Sequence, residues 1–144
     1  MADVTKLLEQ DHREVKDLFA KAESTSGAAK QQVVTKIASE LTIHAQVEED
    51  FVYPAMRDAG LGDLVQEAEE EHQTVKDLVA QLESMDGSTP AVDAVLGELK
   101  SNVEHHVHEE ESEAFPKFRS AVDDSVLQTL AERVEAAKKE LQSA

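Results

Sequence analysis

Two stretches of this chain are near copies: residues 44 to 54 read HAQVEEDFVYP and residues 106 to 116 read HVHEEESEAFP. In each, a His is followed by a Glu four residues on (Glu48, Glu110) and by a Pro ten residues on (Pro54, Pro116). A second frame is doubled as well, DHREVKDL at 11 to 18 and EHQTVKDL at 71 to 78, which supplies His12 and His72. The offset is 60 residues for this frame and 62 for the other. The chain therefore states one order twice, His and then His-x-x-x-Glu. Read as helices, that is four helices with one His each and a Glu on every second one. A His and a Glu four apart share a helix face, about 40° apart around the axis.

The apolar spacing agrees with that reading. A first helix is expected from about Thr5 to Ala22, with Asp3 as N-cap and a stripe of Leu8, Val15, Leu18, Phe19 and Ala22. A second is expected from about Ala29 to Asp58. Along it Ile37, Leu41, His44, Glu48, Phe51 and Ala55 alternate steps of four and three, the seam of a bundle helix. Pro54 inside this stretch predicts a kink or an early end. After the break AGLG (59 to 62), Asp63 and Gln66 read as a capping box opening a third helix, striped by Val65, Ala68, His72, Val75, Val79 and Leu82. After DGSTP (86 to 90), with Pro90 suited to a first helical position, a fourth helix carries Leu96, Leu99, Val103, His106 and Glu110. A fifth, from about Asp124 to Gln142, shows Leu127, Leu130, Val134 and Leu141 and is expected along the outside. No stretch alternates like a strand, and the short loops join antiparallel neighbours. The expected fold class is all-α: an up-down-up-down four-helix bundle (about 4 to 119) with an additional C-terminal helix (about 124 to 142). It forms a single domain over 1 to 144.

The chemistry follows from where the ionisable groups fall. His44 and Glu48 continue the apolar seam after Leu41, and His106 and Glu110 continue it after Val103. A carboxylate buried in such a core costs several kcal/mol unless it is paired or bound to a cation. Two Glu and four His point into one core with no Lys or Arg on the same seams, so a cation is required. Imidazole with carboxylate suits iron, manganese or zinc. Six side chains exceed the four of a tetrahedral zinc and suit two six-coordinate ions bridged by carboxylates.

The remaining composition narrows the function. The formal charge of −17 argues against nucleic acid and against an anionic membrane surface. With no cysteine there is neither a disulfide framework nor a thiolate site. Aromatics are 3% against 40% hydrophobic residues, so the core is aliphatic, as suits packed helices. No window approaches the apolar length of a membrane-spanning helix, and MADVTKLL does not resemble a signal peptide; a cytoplasmic protein is expected.

The DH frame, both His-x-x-x-Glu-to-Pro segments, the third-helix His and the trailing helix together resemble the hemerythrin-like (HHE cation-binding) family over nearly the whole chain. The resemblance implies a four-helix bundle around a non-haem di-iron centre, oxo- or hydroxo-bridged. His12, His44, Glu48, His72, His106 and Glu110 match ligand positions, with Glu48 and Glu110 bridging and the histidines terminal. One departure matters. Oxygen-carrying members have a second His four residues after the third-helix one, where this chain has Lys76. That disfavours a dedicated oxygen carrier. It favours redox handling of a small oxidant (peroxide, oxygen or nitric oxide), catalase-like activity included, with an oxygen- or iron-sensing module as the alternative.

Other residues read two ways. Tyr53, whose counterpart is Phe115, is either packing at a kink or a phenol that donates to bound oxidant. Water, oxide, Tyr53 or Glu69 are candidates for the missing ligand. His105 and His108 flank His106 but are turned 100° from its seam and read as rim residues. The alternative pair His105 and Glu109 is rejected because the internal alignment selects His106. Glu9 and Glu69, three residues before His12 and His72, mimic a ferritin-like ligand set, which leaves His44 and His106 unexplained. The acidic runs 69 to 71 and 109 to 111 read as solvated faces apart from Glu110.

Overall fold

The computed structural model describes residues 2–143. Its elements are α1 (Val4–Glu23), α2 (Gly27–Val47), α3 (Tyr53–Asp58), α4 (Gly62–Glu83), α5 (Val92–Glu109), α6 (Phe115–Ala121) and α7 (Asp124–Ser143). A π-helical turn joins α2 to α3 at Glu48–Val52, and another joins α5 to α6 at Glu110–Ala114. Among the described residues everything else is turn or loop, so the chain is all-helical. The four long helices close a ring of neighbours: α1 touches α2, α2 touches α4, α4 touches α5, and α5 touches α1. The trailing helix α7 lies against α1 and α2.

Local sequence explains the ends. The Asp3 side chain accepts from Thr5 N–H at 2.8 Å, the N-cap expected for α1. Gly27 (φ 61) turns the chain into α2, and Gly60 (φ 88) turns it after α3, both in the left-handed region that favours glycine. Two expected starts differ. The third long helix begins at Gly62 with Leu61 as its cap and no side-chain cap bond, so Asp63 lies inside the first turn, where its charge favours the helix dipole. Pro90 precedes the fourth: Thr89 and Pro90 carbonyls accept from Val92 and Asp93, and that tight turn sets α5 to begin at Val92.

The π-helical turns are the main departure from the expected helices, and they have an identifiable cause. Pro54 has no N–H to offer the Asp50 carbonyl, and its ring would clash there. The Tyr53 N–H reaches back five residues to the Glu48 carbonyl instead; Phe115, before Pro116, reaches Glu110 in the same way. The wider turn shifts the seam by one residue. Phe51 and Ala55, expected on it, are only half-buried, while Val52 and Met56 are 0% and 1% exposed. Tyr53 is swung inward with them.

The aliphatic core has two parts. One joins Val15, Phe19, Ile37, Leu41, Val75, Leu82, Leu99 and Val103. The other joins Leu8, Val47, Val52, Tyr53, Met56, Phe115 and Phe118 with Leu127, Leu130 and Val134 of α7. Leu141, placed on the α7 stripe by its spacing, is exposed. Between the two parts lies a layer of His and Glu.

Candidate metal centre

The layer contains all six expected donors. His12 comes from α1, His44 from α2, His72 from α4 and His106 from α5; Glu48 and Glu110 open the two π-helical turns. All six are buried, Glu48 completely. Their donor atoms form two groups, His12 with His44 and Glu110, and His72 with His106 and Glu48.

Each ring is fixed from behind. The Nδ1 atoms lie at 2.7 Å from Glu111 (His12), 3.0 Å from Asp11 (His44), 2.8 Å from Glu49 (His72) and 2.7 Å from Glu71 (His106). A carboxylate only accepts, so Nδ1 donates in all four and Nε2 faces inward. This is the carboxylate–histidine arrangement that orients a metal-binding imidazole and raises its basicity. The supporting acids obey the repeat. Asp11 and Glu71 each hold the His-x-x-x-Glu histidine of their own repeat. Glu49 and Glu111 each hold the DH/EH histidine of the other. Sequence reasoning missed these acids, treating Glu71 and Glu111 as solvated. The signal was available, since aligning the repeats puts an acid at both copies of each position.

Inside the layer, Nε2 atoms meet carboxylates and one another. Glu48 Oε1 lies 3.2 Å from His44, 3.1 Å from His72 and 3.8 Å from His106. Glu110 lies 3.2 Å from His12 and 3.4 Å from His106, and His72 and His106 face each other at 3.2 Å. Four buried atoms make no hydrogen bond: His12 Nε2, His44 Nε2, Glu48 Oε2 and Glu110 Oε1. His12 Nε2 and His44 Nε2 each lie 3.2 Å from a carboxylate oxygen without a hydrogen bond to it. Buried polar atoms orphaned in this way, lone pairs without a partner, are costly unless a cation satisfies them, so the residues fit metal ions.

The electrostatics agree. Burial alone would lower the His44 pKa, but the charge of Glu48 and the hydrogen bond to Asp11 push it up to about 10. Burial likewise opposes a charged His106, and Glu110 with Glu48 and Glu71 outweighs it, raising that pKa well above its ordinary value. Burial would raise Glu48, yet the charge of His44 and hydrogen bonds within the layer hold it well below the usual carboxylate range. The layer demands positive charge at Nε2, which a metal cation supplies as well as a proton does.

Tyr53 belongs to this site. Its hydroxyl donates to Glu110 Oε2 at 2.9 Å and lies 3.0 Å from His72 Nε2 and 3.5 Å from His106 Nε2. Burial and the charges of Glu48 and Glu110 push its pKa well above the ordinary tyrosine value. Other candidates lie outside. Lys76 bonds Glu49 at 2.8 Å at the rim, and Glu69 pairs with Arg57 on the half-exposed surface. Glu9 pairs with Lys6 at 3.4 Å. Beside the rings is an apolar chamber of about 30 Å³, walled by Val15, Leu41, Val75, Val103 and Val107.

The hemerythrin HHE cation-binding domain model matches residues 3–118 of the chain. The hemerythrin HHE cation-binding domain-containing protein of Mycobacterium kansasii has a similar crystal structure. Its TM-score is 0.87 at 25% identity, covering 99% of this chain and 89% of that one. A DNA nickase of Nostoc sp. is 30% identical over 142 residues; the match takes in 97% of this chain but 40% of the nickase.

Proposed function

The chain belongs to the hemerythrin HHE cation-binding domain family and is a metal-binding protein of that kind; from this premise we propose that its His and Glu layer holds two iron ions and processes a small oxidant. Peroxide, dioxygen and nitric oxide are the candidates, with catalase-like turnover of peroxide the reading we favour. The observation that carries it is the set of orphaned inward atoms beside a small apolar chamber. Six donors suit two ions better than one. A chamber of about 30 Å³ has room for about two waters, the size of a diatomic or peroxide and of little else.

In this reading His12, His44, Glu48, His72, His106 and Glu110 would hold the ions. Iron bound in this layer would carry electrons between two peroxide molecules, one reduced to water and the other oxidised to dioxygen. The chain's own residues do the rest. Asp11, Glu49, Glu71 and Glu111 lock the imidazole rings. The valine walls exclude bulk water. Tyr53 keeps its proton at Oη, aimed at Glu110 Oε2, where it serves as hydrogen-bond donor and proton source. We further propose an up-down-up-down order for the helix ring, a single domain, and a cytoplasmic location; among the described residues no helix is long and apolar enough to cross a membrane. Nicking is not extended to this chain: 31 acidic against 14 basic residues repel a phosphate backbone.

The test is metal content and the visible spectrum of iron-loaded protein before and after hydrogen peroxide, with oxygen evolution followed. Two irons per chain and evolved oxygen support the reading. Two irons without turnover favour an oxygen- or iron-sensing module. One zinc, or no metal, overturns it.

A further inference from the structure

The two repeats treat one carboxylate differently. In the first, Asp11 gives one oxygen to His44, and its other accepts from the Lys138 ammonium of α7. Ile43 and Val47 beside it are buried, on the helix that α7 packs against. In the second, Glu71 gives Oε1 to His106, and no lysine reaches Oε2. The places of Ile43 and Val47 are taken by His105 and Glu109. His105 Nε2 lies 3.2 Å from Glu71 Oε2 and 3.0 Å from Glu109 Oε1. One donor atom from each of the three residues lies within 4.8 Å of the others. Among the described residues no Lys or Arg forms an ion pair with Glu71 or Glu109. The two carboxylates approach the same imidazole nitrogen.

A carboxylate pair in a chain of charge −17 is unfavourable without a counter-charge. The first repeat shows what occupies the equivalent position, a cation. The His105 ring already lies between the two carboxylates, as a ligand would. We propose that Glu71, His105 and Glu109 form an outer binding site for a divalent transition-metal ion. There the ion takes the part that the Lys138 ammonium plays beside Asp11. One imidazole and two carboxylates suit zinc, cobalt(II) or ferrous iron, with the exposed side left for water. Because Glu71 also holds His106, an outer ion is tied through one side chain to the inner layer. The pair His105 and Glu109 is thus a second His-x-x-x-Glu, one residue out of register with His106 and Glu110 and turned to the rim.

The experiment is equilibrium dialysis of metal-free protein against cobalt(II), with the cobalt visible bands recorded, for the wild type, His105→Lys and Glu109→Gln. The wild type is expected to take up one equivalent more than either variant, with its own bands. His105→Lys copies the lysine of the other repeat and should leave helix content and Tm intact. Equal stoichiometry and spectra in all three, up to millimolar cobalt, overturn the outer site. The inner layer is read separately. If wild type and variants differ by one equivalent but nothing else binds, the outer site stands and the di-iron reading fails. If the inner equivalents bind and no difference appears, the reverse holds.

Discussion

On one side of the layer the Tyr53 hydroxyl lies 2.9 Å from Glu110 and 3.0 Å from His72. On the other, at the repeat-related position, the Phe115 ring stacks on His12, tilted by 5° with centroids 6.0 Å apart, and has no polar atom to offer. Both aromatics are buried, both follow a π-helical turn and both precede a proline. What the repeats share (four histidines, two inward glutamates, four supporting acids) builds the buried layer of His and Glu. What they do not share marks where its two halves diverge. A proton donor stands on one side only, and a lysine from α7, outside the matched residues 3–118, stands behind His44 only.

The largest effect should come from breaking what is shared. Glu48→Ala or Glu110→Ala removes a carboxylate reached by histidines of both halves, and each variant should lose its bound metal. His108→Ala, on the exposed side of the fourth long helix, should keep it. Metal analysis after desalting decides this; a Glu48→Ala protein that retains two irons would remove Glu48 from the centre.

Next is the asymmetry. Tyr53→Phe makes the halves alike and should lower oxidant turnover by about 10²-fold, the usual scale for a lost proton donor. Phe115→Tyr should change it little, because the Tyr53 donor at Glu110 stays in place. Single-turnover kinetics at equal iron content separate the two. Equal losses would mean that both aromatics act by packing.

These expectations also show what the sequence made legible. The His and Glu positions could be read as one buried layer because helix periodicity and internal duplication converge on them. The π-helical turns could not. Pro54 announces a disturbance near its own position, but whether a helix bends, stops or widens depends on the neighbours it packs against. With the turn went the assignment of Phe51 and Ala55 to the seam, and with it the certainty of where Tyr53 points. The supporting acids stayed hidden for another reason: Glu71 and Glu111 sit in runs of three acids, where composition alone favours solvent.

Third, the supports should matter less than the donors and unequally between halves. Asp11→Asn and Glu71→Gln each keep the shape while weakening the grip on His44 or His106, and should cost about 10- to 100-fold in metal affinity. Asp11→Asn also strands the Lys138 ammonium, which is only 15% exposed, so it should lower Tm more than Glu71→Gln does. Competition with a chelator and thermal melts give both quantities. Equal Tm losses would make Lys138 an ordinary surface partner.

The smallest effect concerns what the halves have in common when metal is absent. His44 titrates at about 10 in the folded protein against 6.5 as its ordinary value, and its repeat partner His106 is raised too. A raised folded pKa adds stability that is complete below pH 6.5 and disappears as pH climbs through about 10. The metal-free protein should therefore melt at progressively lower temperature between those limits. Each 1 kcal/mol lost corresponds to about 2–4 °C for a chain of this size. Metal-loaded protein should show no such slope from these residues, since the ions replace the protons at Nε2. A flat melting profile for the metal-free form over pH 6.5 to 10 would mean that the folded layer holds no more protons than the unfolded chain in that range, so that His44 and His106 stay uncharged there.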